Sequence, residues 1–183
     1  MTDVNKLAFP IIASITKPDQ IQKAVTGRIR RVILMTGSIL QLSSIVSSLQ
    51  QAGKQVYVHT EMVGGIGRDS HAVQYLAETY KIDGIVSTKS QAIVAARQAG
   101  ISSIQRIFAI DSSAVETAIK LIGQSKPNEV ELMPGLMPRI VGELKQAVNC
   151  PLIVGGLIRS QEEIQVAIKS GADYVSIGDS RFW

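Results

Sequence analysis

The stretch that decides the fold lies near the C-terminus, where residues 151–158 read PLIVGGLI and residues 171–179 read GADYVSIGD. Each is a short apolar run that ends on glycine, and a span with helical spacing separates the two. Continuous apolar runs of this length are typical of buried parallel strands. Glycine at the end of such a strand lets backbone N–H groups approach an anion with no Cβ in the way. The pair therefore predicts two strands followed by anion-binding loops.

The same unit of strand and helix recurs along the whole chain. Helical spans with one apolar stripe separate the β-rich runs, as at Ile39, Leu42, Ile45, Val46 and Leu49. Strict alternation favours parallel strands. Eight strands are predicted: Phe9–Ile15, Arg31–Thr36, Gln55–Met62, Gly84–Thr88, Ile104–Ala109, Glu129–Met133, Leu152–Gly155 and Tyr174–Ile177. The prediction is an α/β protein, a compact (β/α)8 TIM-type barrel that forms one domain over residues 1–183. In such a barrel the loops after strands seven and eight commonly bind phosphate.

Start and stop signals support the predicted helices. Thr16 stands before Pro18 and Asp19, Asp69 and Ser70 stand before an amphipathic run, and Ser113 has Glu116 at capping-box spacing. Glycines where helices should end are Gly53, Gly100, Gly123 and Gly171.

The chain has 183 residues, whereas barrels of this class run from about 200 to over 400. It also stops a few residues after the eighth strand, so the final outer helix is expected to be short or missing. Phe182 and Trp183 could fold back over the uncovered wall, and a second subunit could cover the rest, which predicts a homo-oligomer. The alternative is a rearranged or shortened helix followed by a loose tail.

The composition of the chain indicates the cellular compartment. No apolar run approaches the roughly 18–20 residues that a bilayer requires, and the N-terminus lacks the basic and apolar pattern of a signal peptide. Cys150 is the single cysteine, which excludes an internal disulfide and favours a reducing cytoplasm; we expect it to pack rather than react. A cytoplasmic protein that does not bind membranes is predicted.

Positive charge is concentrated in the first half of the chain, where residues 1–90 hold ten Lys and Arg against six Asp and Glu. The densest cluster comprises Lys23, Arg28, Arg30 and Arg31. Such a face could contact nucleic-acid phosphates, although solvated arginines beside a strand are also ordinary. Aromatic residues are 4% of the chain and none interleaves with this cluster, so base stacking is not indicated.

The third predicted strand carries the sharpest polar signal, VYVHTE at residues 56–61. Alternation places His59 and Glu61 on one face and Val56 and Val58 on the other. If the valines face the helices, His59 and Glu61 point into the barrel near its C-terminal mouth, where function concentrates in this fold. They could bind hydroxyl groups or transfer protons, or form a buried ion pair with a structural role.

The same logic gives further candidates at the mouth. A lysine at a strand end, Lys89, could hold phosphate or form a Schiff base. Arg106 could bind an anion with two parallel hydrogen bonds, or it could pair with Glu131 inside the barrel; both alternatives stay open. The other candidates lie at the ends of strands six to eight or in the loops after them: Gly135, Gly155, Gly156, Ser176 and Gly178.

Several longer motifs extend over most of the chain. They are Val58 and His59 with the acidic residue two positions on, DGIVSTK at 83–89, IQR at 104–106 running to DS at 111–112, ELMPGLMP at 131–138, and GGLI at 155–158. In these motifs the chain resembles the glycerol-3-phosphate responsive antiterminator family, which regulates glycerol uptake operons. It departs from the family pattern at Glu61, where Asp is usual, and in the segment from Ser176 to Ser180.

The resemblance implies a barrel that binds glycerol 3-phosphate and acts on leader mRNA of glycerol uptake and utilisation genes to prevent transcription termination. It implies no cofactor and no catalysis. The phosphate would lie on the amides of Gly155, Gly156 and Gly178, while His59 and Glu61 would bind the glycerol hydroxyls. Lys89 or Arg106 would supply charge.

The alternative is a barrel enzyme, an isomerase, aldolase or phosphodiesterase that acts on a small phosphorylated polyol. A metal site is not expected, since the chain has two histidines and His71 lies in a predicted helix.

Overall fold

The structure, a computed structural model, describes residues 10–67 and 69–183, so the predicted strand residue Phe9 lies outside it. In these residues strands and helices alternate. The strands are β1 Ile11–Ile15, β2 Arg31–Leu34, β3 Gln55–His59, β4 Gly84–Ser87, β5 Ser102–Phe108, β6 Glu129–Met133, β7 Leu152–Gly155 and β8 Tyr174–Ile177. The helices are α1 Gln20–Thr26, α2 Ile39–Gln51, α3 Ser70–Tyr80, α4 Ser90–Gln98, α5 Ser112–Ser125, α6 Pro138–Ala147 and α7 Gln161–Lys169, and a 3-10 turn follows at Ser180–Phe182.

The strands close into a barrel in chain order, every neighbouring pair parallel. Closure comes from β8, which pairs with β1 so that Ile12 lies opposite Ser176. The predicted (β/α)8 fold is confirmed. The predicted β6, β7 and β8 have the observed bounds, whereas β2 and β3 were predicted two and three residues too long.

Alternation along the strands separates two apolar cores. The larger core lies between strands and helices and includes Val56 and Val58, as predicted. The smaller one fills the barrel interior and consists of Ile12, Ile33, Tyr57, Val86, Ile104 and Ile153.

The N-terminal end of the barrel is closed by a polar layer that we call the floor: Arg31, Tyr57, Glu129 and Tyr174. Arg31 Nη1 donates to both Glu129 oxygens, at 2.8 and 2.7 Å. Its guanidinium carbon lies 5.2 Å from the Tyr57 ring centre and 4.9 Å from that of Tyr174. Arg31 was predicted as part of an exposed basic cluster, but inward alternation with Ile33 commits its side chain to this layer.

No eighth outer helix follows β8 in the described chain, as expected. The 3-10 turn takes its place, and Trp183 Nε1 donates to the Ile177 carbonyl oxygen at 2.9 Å. Phe182 and Trp183 pack against the outer core, so they fold back over the wall as the sequence predicts.

Helix ends follow the predicted signals with two corrections. Asp69 caps α3 by accepting from the Ala72 amide at 2.9 Å, as predicted. The α5 helix is capped by Asp111, which accepts from the Ala114 amide at 2.7 Å, so the prediction of Ser113 was wrong. Gly123 was predicted to end this helix, but it lies inside it. The helix ends instead at Lys126, in left-handed conformation with φ 52°. The other predicted stops, Gly53, Gly100 and Gly171, have φ of 73°, 73° and 114° and each directly follows the C-cap residue of its helix, α2, α4 or α7.

Two further features relate to the expectations about membrane spans and about Cys150. No helix in residues 10–67 and 69–183 is long and apolar enough to cross a membrane. Cys150 is partly buried against the outer core, and burial raises the pKa of its thiol, which fits the expected packing role.

Candidate functional site

The C-terminal mouth of the barrel carries a buried polar layer directly above the apolar interior. Each member stands two positions after an inward residue of its strand, for example His59 after Tyr57 and Arg106 after Ile104. The layer consists of Ser14, His59, Arg106, Glu131 and Ser176. Five of eight strands thus bring a hydrogen-bonding side chain to one place.

A chain of hydrogen bonds joins three of these residues. Arg106 Nε donates to Glu131 Oε2 at 2.7 Å, and Ser176 Oγ donates to Glu131 Oε1 at 2.5 Å. The structural pair that the sequence left open is therefore formed, with Glu131 fully buried. The bond to Glu131 uses one of the five N–H donors of the Arg106 guanidinium. A second nitrogen, Nη2, lies 3.7 Å from the weak acceptor Met35 Sδ. Arg106 retains donors for an anion.

Two buried polar atoms at the mouth have no hydrogen-bond partner among the described residues: Ser14 Oγ and His59 Nδ1. Such atoms are rare because leaving one unpaired costs about 1–3 kcal/mol. Both atoms are closed to solvent, so a polyhydroxylated ligand would pair with them only after the side chains above them move. Ser14 was not predicted as a site residue, although its position two residues after the inward Ile12 was the signal that could have identified it.

His59 is a neutral imidazole at physiological pH. Burial, together with the nearby positive charge of Arg106, lowers its pKa from 6.5 to about 4, against the opposing effect of Glu61. A neutral imidazole offers one donor and one acceptor, which suits a hydroxyl group. Its Nδ1 lies 3.5 Å from Glu61 Oε2.

Glu61 lies just beyond β3 and bridges to the end of β4. Its carboxylate accepts from Thr60 Oγ1 at 2.8 Å, from Ser87 Oγ, and from the Thr88 amide at 3.1 Å. Burial alone would raise the pKa of Glu61, but these hydrogen bonds outweigh it and hold that pKa below its usual value. Lys89, next along the chain, is exposed and donates its amide to Ser87 Oγ at 3.1 Å.

The four candidate glycines have different reasons for being glycine. A Cβ at Gly155 would overlap Ser176 Oγ, and one at Gly135 would lie 2.8 Å from Ile158 Cδ1 and 3.2 Å from the Gly155 amide nitrogen, so both glycines are closely packed. Gly156 has φ 78° with room around it, and Gly178 has no close neighbour. The amides of Gly156 and Gly178 donate to no acceptor in the part of the chain that the structure describes. These two are the better anion donors.

Gln20 on α1 holds the loop that carries Gly178 in place. Gln20 Nε2 donates to the Gly178 carbonyl oxygen at 2.6 Å, while Gln20 Oε1 accepts from the Thr16 and Lys17 amides at 2.8 and 3.0 Å. After Gly156, Leu157 has φ 65°, a conformation that branched side chains rarely adopt. Strain of this kind is concentrated at functional sites.

Asp179 lies in the loop after β8, and its negative charge is compensated by Arg181. Its carboxylate accepts from Arg181 Nη2 at 2.6 Å and from the Arg181 amide at 3.0 Å. Hydrogen bonds from Arg181 lower the pKa of Asp179.

The mouth thus brings together the predicted His59, Glu61, Arg106, Glu131 and Ser176. The predicted nucleic-acid residues Arg28 and Arg30 lie at the other end, because they directly precede β2 and parallel strands all start at one end. Lys23 lies on α1, and its charge acts on Asp179 in the loop after β8. Within the described ranges there is no group of three or more His, Cys, Asp or Glu that could hold a metal ion.

Comparison with known proteins agrees with this architecture. A model of the glycerol-3-phosphate responsive antiterminator family matches residues 11–183. The chain is 31% identical over 174 residues to the protein YgcP of Escherichia coli K12, covering 95% of this chain and 91% of that protein.

Two solved structures are also similar. The glycerol uptake operon antiterminator regulatory protein from Listeria monocytogenes superimposes with a TM-score of 0.91 at 32% identity, covering 100% of this chain and 97% of that one. A glycerol uptake operon antiterminator-related protein from Thermotoga maritima gives 0.84 at 29% identity, covering 94% and 96%.

Fold and mouth together define a TIM-type barrel with a polar C-terminal site. More particularly, the chain belongs to the glycerol-3-phosphate responsive antiterminator family, a family of regulators.

Proposed function

We propose that this protein binds glycerol 3-phosphate at the barrel mouth and, in response, acts on leader mRNA of glycerol uptake and utilisation genes to prevent transcription termination. Membership of the family supports the regulatory role. The observation that carries the ligand site is the pair of buried unpartnered atoms, Ser14 Oγ and His59 Nδ1, in the mouth that also presents the amides of Gly156 and Gly178.

The phosphate and the hydroxyl groups of the ligand contact different halves of the mouth. Backbone amides after β7 and β8 receive the phosphate, and Lys89 or Arg106 adds positive charge. The glycerol hydroxyls meet Ser14, the neutral His59 and the ionised Glu61, which together provide donors and acceptors.

Regulation requires that the ligand bind two states of the protein unequally, by about 1–3 kcal/mol in typical cases. The mouth loops are the elements that the ligand would order. Cytoplasmic location follows from a partner that is a nascent transcript. The protein is also proposed to form a homo-oligomer.

Titration calorimetry with glycerol 3-phosphate tests the ligand site. We expect saturable binding that neither glycerol nor inorganic phosphate matches. The substitution Ser14→Ala should weaken it by about fivefold, the value of one net hydrogen bond. The matched control Ser44→Ala alters an exposed serine on α2 and should bind normally. Absence of heat with the wild-type protein would overturn the site.

A gel shift on the leader transcript tests the response. Affinity should change when glycerol 3-phosphate is added, and the Ser14→Ala protein should need more ligand for the same change. A shift that is indifferent to the ligand would refute the coupling.

The alternative is an enzyme that acts on a small phosphorylated polyol, since His59, Glu61 and Lys89 form a sufficient acid–base set. Turnover of a phosphorylated triose or a glycerophosphodiester that is abolished by His59→Ala and Lys89→Ala, with RNA binding unaffected, would favour this alternative.

A further inference from the structure

A second pocket opens at the N-terminal end of the barrel, opposite the mouth. It encloses about 420 Å³, and its lining includes Arg30, Arg31, Gly53, Gln55 and Tyr174. This volume is within the range of ligand sites, which runs from about 300 to 1,000 Å³. We call it the floor pocket.

We propose that the floor pocket receives an unpaired base of single-stranded RNA. The proposal rests on the RNA-binding part of the proposed function and names the surface that carries it. A basic residue, an aromatic ring and a hydrogen-bonding amide lie together in its lining.

Positive charge lies at the rim of the floor pocket. Arg30 is exposed in its lining, and Arg28, two residues before it in the chain, is also exposed. Lys54 Nζ holds this segment by donating to the carbonyl oxygens of Gly27 and Ile29, at 2.6 and 2.9 Å. A fixed basic rim attracts the phosphate backbone without selecting a sequence.

The charge inside the pocket is compensated. Arg31 is neutralised by the bonds to Glu129 described above, and its guanidinium is taken up by the rings of Tyr57 and Tyr174. The Tyr174 ring is partly exposed in the lining, and an aromatic ring is a surface on which unpaired bases stack. A small inorganic anion would instead favour an uncompensated cation inside the pocket.

Gln55 supplies a group that can distinguish bases. Its side chain is exposed in the lining, and an amide both donates and accepts, as the edges of bases do. A duplex cannot insert a base without breaking a pair, so the pocket selects single strands.

Fluorescence anisotropy with a labelled short single-stranded RNA of mixed sequence tests the proposal, with the same RNA annealed to its complement for comparison. The wild-type protein should bind the single strand more tightly than the duplex. Tyr174→Leu, which keeps an apolar side chain but removes the flat face, should weaken single-strand binding by about 5- to 150-fold. Tyr174→Phe keeps the ring and should bind normally, which separates loss of stacking from misfolding.

Matched controls are available on other surfaces. Tyr75→Leu alters an exposed tyrosine on α3 and should have no effect, like Arg159→Ala in the exposed loop after β7. Arg30→Ala should weaken binding and reduce the salt dependence by about one ion.

The outcomes separate the two proposals. Equal binding by wild type, Tyr174→Leu and Gln55→Ala would overturn the floor pocket and leave RNA binding elsewhere on the protein. Failure of the wild-type protein to bind any single strand, the leader transcript included, would overturn both.

Discussion

At the scale of single residues, His59 shows how burial selects a chemical form. The imidazole is buried in the mouth and lies near the Arg106 guanidinium. Burial and the positive charge of Arg106 both favour the uncharged ring. The neutral ring can accept a hydrogen bond from a hydroxyl, which an imidazolium cannot do. The site is therefore suited to an uncharged part of a ligand at this position.

The depressed pKa of His59 predicts a pH-dependent stability. In the unfolded chain the imidazole takes up a proton near pH 6.5, whereas in the folded protein it stays neutral down to about pH 4. Between these values the unfolded state binds more protons, so stability falls as pH falls. From pH 7 to pH 5 His59 should account for a loss of about 2 kcal/mol.

Urea unfolding at both pH values measures this loss. His59→Asn should remove about that part of the difference, and His71→Asn, which alters an exposed histidine on α3, should leave it unchanged. Identical pH dependence in all three proteins would contradict the prediction.

Gly155 gives a second prediction at this scale. Gly155→Ala should destabilise the protein by about 1–3 kcal/mol, because the new Cβ overlaps Ser176 Oγ. The matched control is Gly123→Ala inside α5, where a Cβ meets nothing within 4 Å, and it should stabilise by about 0.5–1 kcal/mol. Thermal unfolding distinguishes the two; equal stability of both variants would show that the interior tolerates the methyl group.

Patterns in the sequence predicted which residues lie at the mouth better than they predicted what each residue does there. Alternation along β3 and β5 was sufficient to place His59 and Arg106 inside. The requirement for glycine at position 155 comes from Ser176 on the next strand, a contact that exists only after the barrel closes. From the sequence, a Gly155 that donates to an anion therefore could not be distinguished from a Gly155 that is needed for packing.

At the scale of elements, α1 positions the loop after β8. Gln20, at the first position of α1, contacts both the loop after β1 and the Gly178 carbonyl oxygen. A trans peptide directs its carbonyl and its amide to opposite sides, so this bond also orients the Asp179 amide. Gln20 is thus a positioning residue for the proposed phosphate loops.

We predict that Gln20→Leu weakens glycerol 3-phosphate binding by about fivefold, which corresponds to one net hydrogen bond. Titration calorimetry measures the effect, and Gln22→Leu on the exposed side of the same helix is the control. The variant Gln20→Glu keeps the acceptor and loses the donor to Gly178, so it should bind as weakly. Normal affinity in both Gln20 variants would refute the role.

Helix ends show where element-level signals compete. Both Asp111 and Ser113 can cap a helix, and the choice depends on where the loop from β5 ends, which local sequence does not determine. Gly123 costs the α5 helix some stability, but packing of Ala118 and Ile122 on the barrel keeps the helix intact beyond it.

At the scale of the whole molecule, barrel closure creates surfaces that the sequence analysis could not predict. Aromatic residues were absent from the basic cluster in the sequence, which argued against base stacking. Closure brings Tyr174 on β8 beside Arg31 on β2, although the two are far apart in the chain. The floor pocket is therefore a property of the fold rather than of any segment.

The homo-oligomer remains a prediction at this scale. Several large apolar side chains are exposed on the mouth face, among them Leu40 at 90%, Ile110 at 84% and Leu157 at 63%. Large apolar side chains exposed on one face are candidates for the contact with a second subunit. Sedimentation at micromolar concentration should give a species heavier than 19.7 kDa. Ile110→Ser combined with Leu157→Ser should reduce its size, and a monomeric wild-type protein would contradict the prediction.

The polar groups at the two ends of the barrel share strands: β6 carries both Glu129 and Glu131, and β8 carries both Tyr174 and Ser176. If the mouth binds glycerol 3-phosphate and the floor pocket binds RNA, as proposed, both sites depend on the positions of these two strands. A substitution of Glu131 or Ser176 that alters effector preference is then expected to alter transcript affinity as well.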